Sequence, residues 1–252
     1  MQKISKTAMT KLNTNDFILH FKDKDVFEMS EIVDFYHAAE GEVKPATITW
    51  RIYSFVQKGI LQRVGKGKFR MGSSKVYIPE ISTKLKSIYS KIHKKFPFTT
   101  ICVWHTSVFN EFMQHQAGKF YYLIEVEKES AESVFYALKE ENYAVLLNPN
   151  QEILTKYTPE NNDVYIVKSL ISEAPIQKTD KIFTVSIEKM LVDIFCDEIL
   201  FASQQGAEMR TIFNEALSKY TVNQSKMLRY AGRRKKKSAF DNYLKTISNY
   251  RQ

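Results

Sequence analysis

His105-Thr106-Ser107 sets an imidazole and two hydroxyls within three residues, the raw material of a base-activated nucleophile. Residues this close in a chain rarely face one another, and Ser107 is better placed to cap a helix that follows it. Glu125 and Glu127 stand two apart, so on a strand they share a face and could share a divalent cation. A nuclease of the restriction type needs a lysine on that same face, whereas Lys128 directly follows Glu127 and falls on the opposite one. Gly72-Ser73 lies about fifty residues from the pair, too far for a nucleotidyltransferase signature. No GxxxxGK[ST] phosphate loop occurs, and His20, His37, His93 and His115 lack metal-ligand spacing. The expectation is a protein without catalytic residues, metal or cofactor.

A second group of residues suits nucleic acid. Lys44, Thr47, Thr49, Arg51 and Lys58 are followed closely by Arg63, Lys66, Lys68 and Arg70. Cations of this kind neutralise phosphates, while threonine and arginine side chains can reach base edges in a major groove. Trp50 and Tyr53 in the same stretch read as packing residues rather than base contacts. A third group, Arg229 and the run Arg233, Arg234, Lys235, Lys236 and Lys237, gathers cations near the C-terminus. Adjacent like charges repel, a penalty that a polyanionic or acidic partner would offset.

The charge balance follows these groups. Residues 1–95 hold 18 Lys+Arg against 9 Asp+Glu, residues 96–205 hold 8 against 16, and residues 206–252 hold 11 against 3. Net charges of +9, −8 and +8 therefore hide inside the overall +9, a segregation expected where one part meets a polyanion and another does not. With 44% hydrophobic residues, 8 Gly and 6 Pro, the chain is neither collagen-like nor of low complexity. No apolar run approaches the roughly 18 residues of a membrane helix, and the first residues lack a signal-peptide core, so a cytoplasmic protein without a membrane partner is expected. Cys102 and Cys196 sit in apolar settings and read as core residues.

Elements that would position the first basic group can be read from period and punctuation. Helices are expected over Asn15–Phe21, over Glu31–Ala38 behind a Ser30 cap, and from Pro45 to about Lys58, with a short strand at Asp25–Phe27. Ile48, Ile52, Phe55 and Val56 form the inward stripe of the third helix and leave Thr47, Thr49, Arg51, Ser54 and Lys58 outward. A hairpin follows: Ile60–Val64, a Gly65-Lys66-Gly67 turn with Lys68, then Phe69–Met71. This order is the outline of a winged helix-turn-helix, with the third helix as reader and the hairpin as wing. The expected organisation is α/β (α+β): a winged helix-turn-helix DNA-binding domain over 1–79, a linker helix over 80–95, and a mixed α/β domain with a helical C-terminal part over 96–252. Within the last, strands are expected at 99–104, 120–126, 144–147 and 164–167. Helices are expected at 107–116, 131–140, 186–196, 207–220, 224–230 and 238–250.

Several segments resemble the AbiEi-type antitoxins of bacterial type IV (abortive infection) toxin-antitoxin systems. Trp50-Arg51-Ile52 with Gly59 to Phe69 looks like that family's third helix and wing. Val103 to Ser107 with Glu125 to Lys128 is similar to the opening of its antitoxin domain. Ser186 to Asp193 resembles its "EK-x-LVD" helix, and Leu228 to Arg234 its "YA-x-R" turn. Gly65-Lys66-Gly67-Lys68 departs from the family's arginine-bearing wing, a change that counts against arginine insertion in a minor groove. The resemblance implies a repressor of its own promoter, bound to double-stranded DNA, whose C-terminal domain counteracts a nucleotidyltransferase-like toxin or shields that toxin's RNA target. Two other classes are left open by the residues: a winged-helix transcription factor with a ligand-sensing C-terminal domain, and a metal-dependent DNA-processing enzyme using Glu125 and Glu127.

Overall fold

Phe17, Phe21, Phe27 and Phe55 are fully buried against one another and against Tyr36, with Phe17 4.7 Å from Phe21 and 4.9 Å from Phe55 between ring centroids. This aromatic nucleus holds the first of two units in the computed structural model, which describes residues 14–73, 75–115, 117–158 and 163–247. The first unit comprises residues up to Val76 together with Lys219–Ser225; the second comprises Tyr77–Ser218 and Lys226 onward. The helix expected as a linker therefore belongs to the second unit, and a short C-terminal stretch belongs to the first.

In the first unit, α1 (Thr14–Phe21), α2 (Met29–Glu40) and α3 (Pro45–Gln57) precede a hairpin of β2 (Leu61–Gly65) and β3 (Lys68–Met71). Strand β1 (Phe27–Glu28) pairs with β3, giving an antiparallel order β1-β3-β2. α2 starts earlier than Ser30 because Glu28 and Glu31 form a reciprocal capping box. Gly41 (φ 79°) ends it, and Pro45 begins α3 where a missing N–H is harmless. The β2–β3 turn uses Gly67 at φ 69°. Thr221 returns to this unit: its hydroxyl donates to the Gly59 carbonyl at 2.8 Å and accepts from the Ser73 N–H at 2.9 Å, while its own N–H donates to the Lys75 carbonyl at 2.9 Å. Gly72 leaves just enough space, since a Cβ there would stand 2.1 Å from the Gly59 oxygen.

The second unit is a mixed α/β layer. β4 (Ile101–His105), β5 (Tyr121–Val126), β6 (Val145–Leu147) and β7 (Val164–Ser169) form a sheet of order β4-β5-β7-β6, antiparallel only between β4 and β5. One face, with Ile101, Val103, Ile124 and Val167, packs on α4 (Thr83–Lys95) and α5 (Ala131–Glu140). The register sets Cys102, Glu125 and Lys168 in a row across the opposite face. α6 (Gln151–Tyr157) and the hairpin β8 (Ile176–Thr179) and β9 (Ile182–Val185) precede the helical part: α7 (Ile187–Cys196), α8 (Ala207–Lys219), α9 (Gln224–Arg233) and α10 (Lys237–Leu244). The helix expected at 107–116 is instead a 3-10 segment, Thr106–Glu111. The end of the helix expected at 238–250 lies partly outside the described residues. No helix among the described residues is long and apolar enough to cross a membrane.

Candidate nucleic-acid interface

The inward stripe of α3 is Ile48, Arg51, Ile52 and Phe55. Arg51 is thus a correction to the outward placement expected of it. Its guanidinium grips the Glu40 carboxylate at two points, 2.6 and 2.8 Å, and lies 4.6 Å from the centroid of the Tyr36 ring. The Glu40 carboxylate holds Arg51 above its ordinary pKa despite burial, and burial drives the Tyr36 hydroxyl up to about 12. Trp50 and Tyr53 correct the expectation in the other direction. They are 59% and 62% exposed, on the outer face with Thr47, Thr49 and Gln57.

Cations surround that face along the chain. Lys44 occupies the N-cap and Lys58 the C-cap of α3, and both are exposed. On the hairpin, Arg63, Lys66 and Lys68 are exposed, with Arg63 5.3 Å from the centroid of the Phe69 ring and Lys68 4.0 Å from Glu28. Arg70 is turned to the hairpin itself, donating to Gln62 at 2.9 Å in a half-buried setting. Of the residues expected to meet nucleic acid, Lys44, Thr47, Thr49, Lys58, Arg63, Lys66 and Lys68 are available, and Arg51 and Arg70 are committed to the fold.

In the second unit a different cluster is buried. Lys189 on α7 is 0% exposed and meets both Glu125 and Asp193 at 2.5 Å. Asp193 also accepts from the Tyr230 hydroxyl at 2.9 Å and from Arg234 at 2.7 Å, and the Trp104 indole N–H donates to Glu125 at 3.3 Å. Two cations and two carboxylates balance, which is the condition under which charges tolerate burial. Burial disfavours the Lys189 ammonium, yet Asp193 and Glu125 hold its pKa well above the ordinary value. The nearby Cys102 thiol is pushed up by burial first and by Glu125 second. A protonated amine and a protonated thiol are poor nucleophiles.

The C-terminal cations are therefore not five unpartnered charges. Arg233 pairs with Glu173, Arg229 lies 3.4 Å from the same carboxylate, Arg234 enters the buried cluster, and Lys236 reaches Glu198 at 3.5 Å. Lys235 and Lys237 are exposed, and Lys235 sits in a turn at φ 58° between α9 and α10.

The residues of the second unit with catalytic or metal-binding chemistry are distributed differently from expectation. His105 and Ser107 do face one another, Nδ1 to Oγ at 2.6 Å, because the strand gives way at once to a 3-10 turn. Burial lowers the pKa of His105. Glu125 and Glu127 part company: Glu125 is held by Lys189, and Glu127, beyond the end of β5, accepts from the Thr100 hydroxyl at 2.8 Å. Among the described residues no group of three or more His, Cys, Asp or Glu is placed to hold a metal.

Comparison with known proteins bears on this arrangement in one respect. No curated protein matches the chain. Residues 47–250 match a single family description, a region that runs from the first turns of α3 through the hairpin, the buried cluster and α10. Matched over much more than half of its length, the chain belongs to DUF6577, a family of unknown function.

Proposed function

We propose that this chain is a DNA-binding repressor of its own promoter, with a winged helix-turn-helix as its N-terminal unit and an antitoxin of the AbiEi type as its second. The observation that carries the DNA-binding reading is the outer face of α3, with exposed Lys44 and Lys58 at the two ends of the helix, followed by a hairpin that exposes Arg63 on β2 and Lys66 and Lys68 at its turn. The helix would lie in a major groove and the hairpin would track phosphates. Gel-shift titration of the full chain against promoter duplex at increasing salt tests it. Affinity that falls steeply with salt is expected, and binding that is absent or indifferent to salt would overturn it.

The antitoxin reading rests on the resemblance and is supported by one meeting of segments. Trp104, Glu125, Lys189 with Asp193, and Tyr230 with Arg234 come from four separate resembling stretches and join in one buried cluster. The partner would be a nucleotidyltransferase-like toxin or its RNA target, and the protein itself would need no catalysis. Growth of cells expressing such a toxin from the adjacent reading frame, with and without this chain, tests the reading; failure of the folded chain to restore growth would sink it.

A second reading, a regulator whose second unit senses a small ligand, is favoured by a cavity of about 380 Å³ lined by Glu80, His105, Ser107, Glu111 and Tyr122. Its size and its mixture of apolar wall and convergent polar groups suit a small polar molecule. DNA affinity that responds to a metabolite rather than to a toxin would favour it.

A further inference from the structure

The outer face of α3 has an unusual chemistry for a helix flanked by cations. At 100° per residue Ala46, Thr49, Trp50, Tyr53 and Gln57 fall in one stripe, and each is exposed. That stripe holds no charged side chain. The helix's single arginine, the residue type that recognises guanine through O6 and N7, is withdrawn into the Glu40 grip. The hydroxyl of Thr49 donates to the Pro45 carbonyl at 3.0 Å, which leaves its methyl as the group to present. What remains is a methyl-bearing and aromatic surface with one carboxamide, Gln57.

Base pairs differ in how well they match such a surface. Thymine offers a C5 methyl in the major groove, which apolar side chains contact, and adenine offers the N6 and N7 pair that a glutamine amide can satisfy at both ends. Guanine and cytosine offer neither a methyl nor a partner for Gln57 of equal fit. We infer that α3 reads A·T-rich duplex DNA in the major groove, through Thr49, Trp50 and Tyr53 against thymine methyls and Gln57 against adenine. The inference rests on the DNA-binding reading above and adds the class of sequence recognised. The occupant is duplex rather than protein because exposed cations stand at both ends of the helix, Lys44 at its N-cap and Lys58 at its C-cap, with Arg63, Lys66 and Lys68 exposed on the following hairpin, a concentration of positive charge that suits a phosphate backbone.

The experiment uses the full chain. A randomised duplex library is selected for binding, and the recovered duplex is then remade with each thymine replaced in turn by deoxyuridine, which removes only the methyl. An A·T-rich selected core is expected, with affinity falling about four-fold for each contacted methyl removed. Trp50→Ala and Tyr53→Ala should bring the selected duplex close to random duplex in affinity. Both residues are exposed, so these variants keep the fold, as circular dichroism can verify. Lys66→Ala should weaken all duplexes alike. A G·C-rich core, deoxyuridine substitution without effect, or tighter binding to single strands through aromatic stacking would each overturn the inference while leaving DNA binding intact. Failure of the folded chain to bind any duplex would overturn the DNA-binding reading and this one with it.

Discussion

Arg51 and Glu40 meet edge to edge, Nη1 to Oε1 at 2.6 Å and Nη2 to Oε2 at 2.8 Å, so that the C-terminal end of α2 is fastened to the middle of α3. The Arg51 side chain is 10% exposed, and its guanidinium lies over Tyr36. Arg51→Ala should therefore lower stability by about 1.5–3 kcal/mol, the range for hydrogen bonds to charged groups. Arg51→Lys should recover little of it, because an ammonium cannot make the two-point contact. Urea denaturation of the two variants checks this; an unchanged midpoint with altered sequence preference would return Arg51 to the DNA.

Lys189 neutralises two buried carboxylates at once. Its removal in Lys189→Ala leaves the two carboxylates with one remaining cation, the partly buried Arg234, which meets Asp193 alone, and a loss of about 3–5 kcal/mol is expected. Adding Glu125→Gln should restore part of that loss, and a double-mutant cycle measures the coupling.

Lys66 at the exposed tip of the hairpin is expected to act through phosphate alone. Lys66→Ala should make the slope of log K against log salt shallower by about 0.9 if one contact is lost. Sequence preference should be unchanged, which competition between selected and random duplex will show.

Gly72 lies where the Gly59 carbonyl and Thr221 converge. Gly72→Ala should destabilise the first unit and weaken DNA binding, whereas Thr221→Val should remove the hydroxyl bonds to Gly59 and Ser73 with a smaller effect of about 1 kcal/mol. Hydrogen exchange at the amides of Ser73 and Ile60 reports on this local opening.

His105 is held below its ordinary pKa by burial. The unfolded chain therefore binds a proton more readily than the folded one, so this residue's contribution to stability is complete above about pH 6.5 and declines as pH falls below it. His105→Gln should flatten that part of the stability profile, measured as the urea midpoint between pH 7.5 and pH 5.

Periodicity and punctuation served well wherever one helix or one turn decides its own limits. Pro45 and Gly59 bracket α3, and α5 spans Ala131–Glu140 as its apolar spacing requires. The β8–β9 hairpin is not legible in the sequence because its turn places Asp180 and Lys181 at φ 49° and 69°, a left-handed pair without the glycine that advertises such turns. The inward turn of Arg51 is not legible because the residue sits at the border of the apolar stripe and its partner Glu40 lies on another helix. The buried cluster was spread over Trp104, Glu125, Lys189, Asp193, Tyr230 and Arg234. Motif-sized fragments of it are visible in the sequence, but their convergence depends on the pairing of β4 with β5, on Lys189 of α7 reaching Glu125, and on Tyr230 of α9 reaching Asp193. Conversely, residue type favours packing for Trp50 and Tyr53, yet it says nothing about which side of a helix the core occupies, and both are exposed.

The return of Lys219–Ser225 to the first unit gives the protein an order of completion. Domains at the start of a chain ordinarily fold while the rest is still being made, but here the last piece emerges about 140 residues after Val76. At ordinary rates of synthesis that is a delay of roughly 7–30 s. A nascent or prematurely terminated chain would carry α3 and the hairpin without the threonine that ties Gly59 to Ser73, so the first unit reaches its finished form only after translation has passed Thr221.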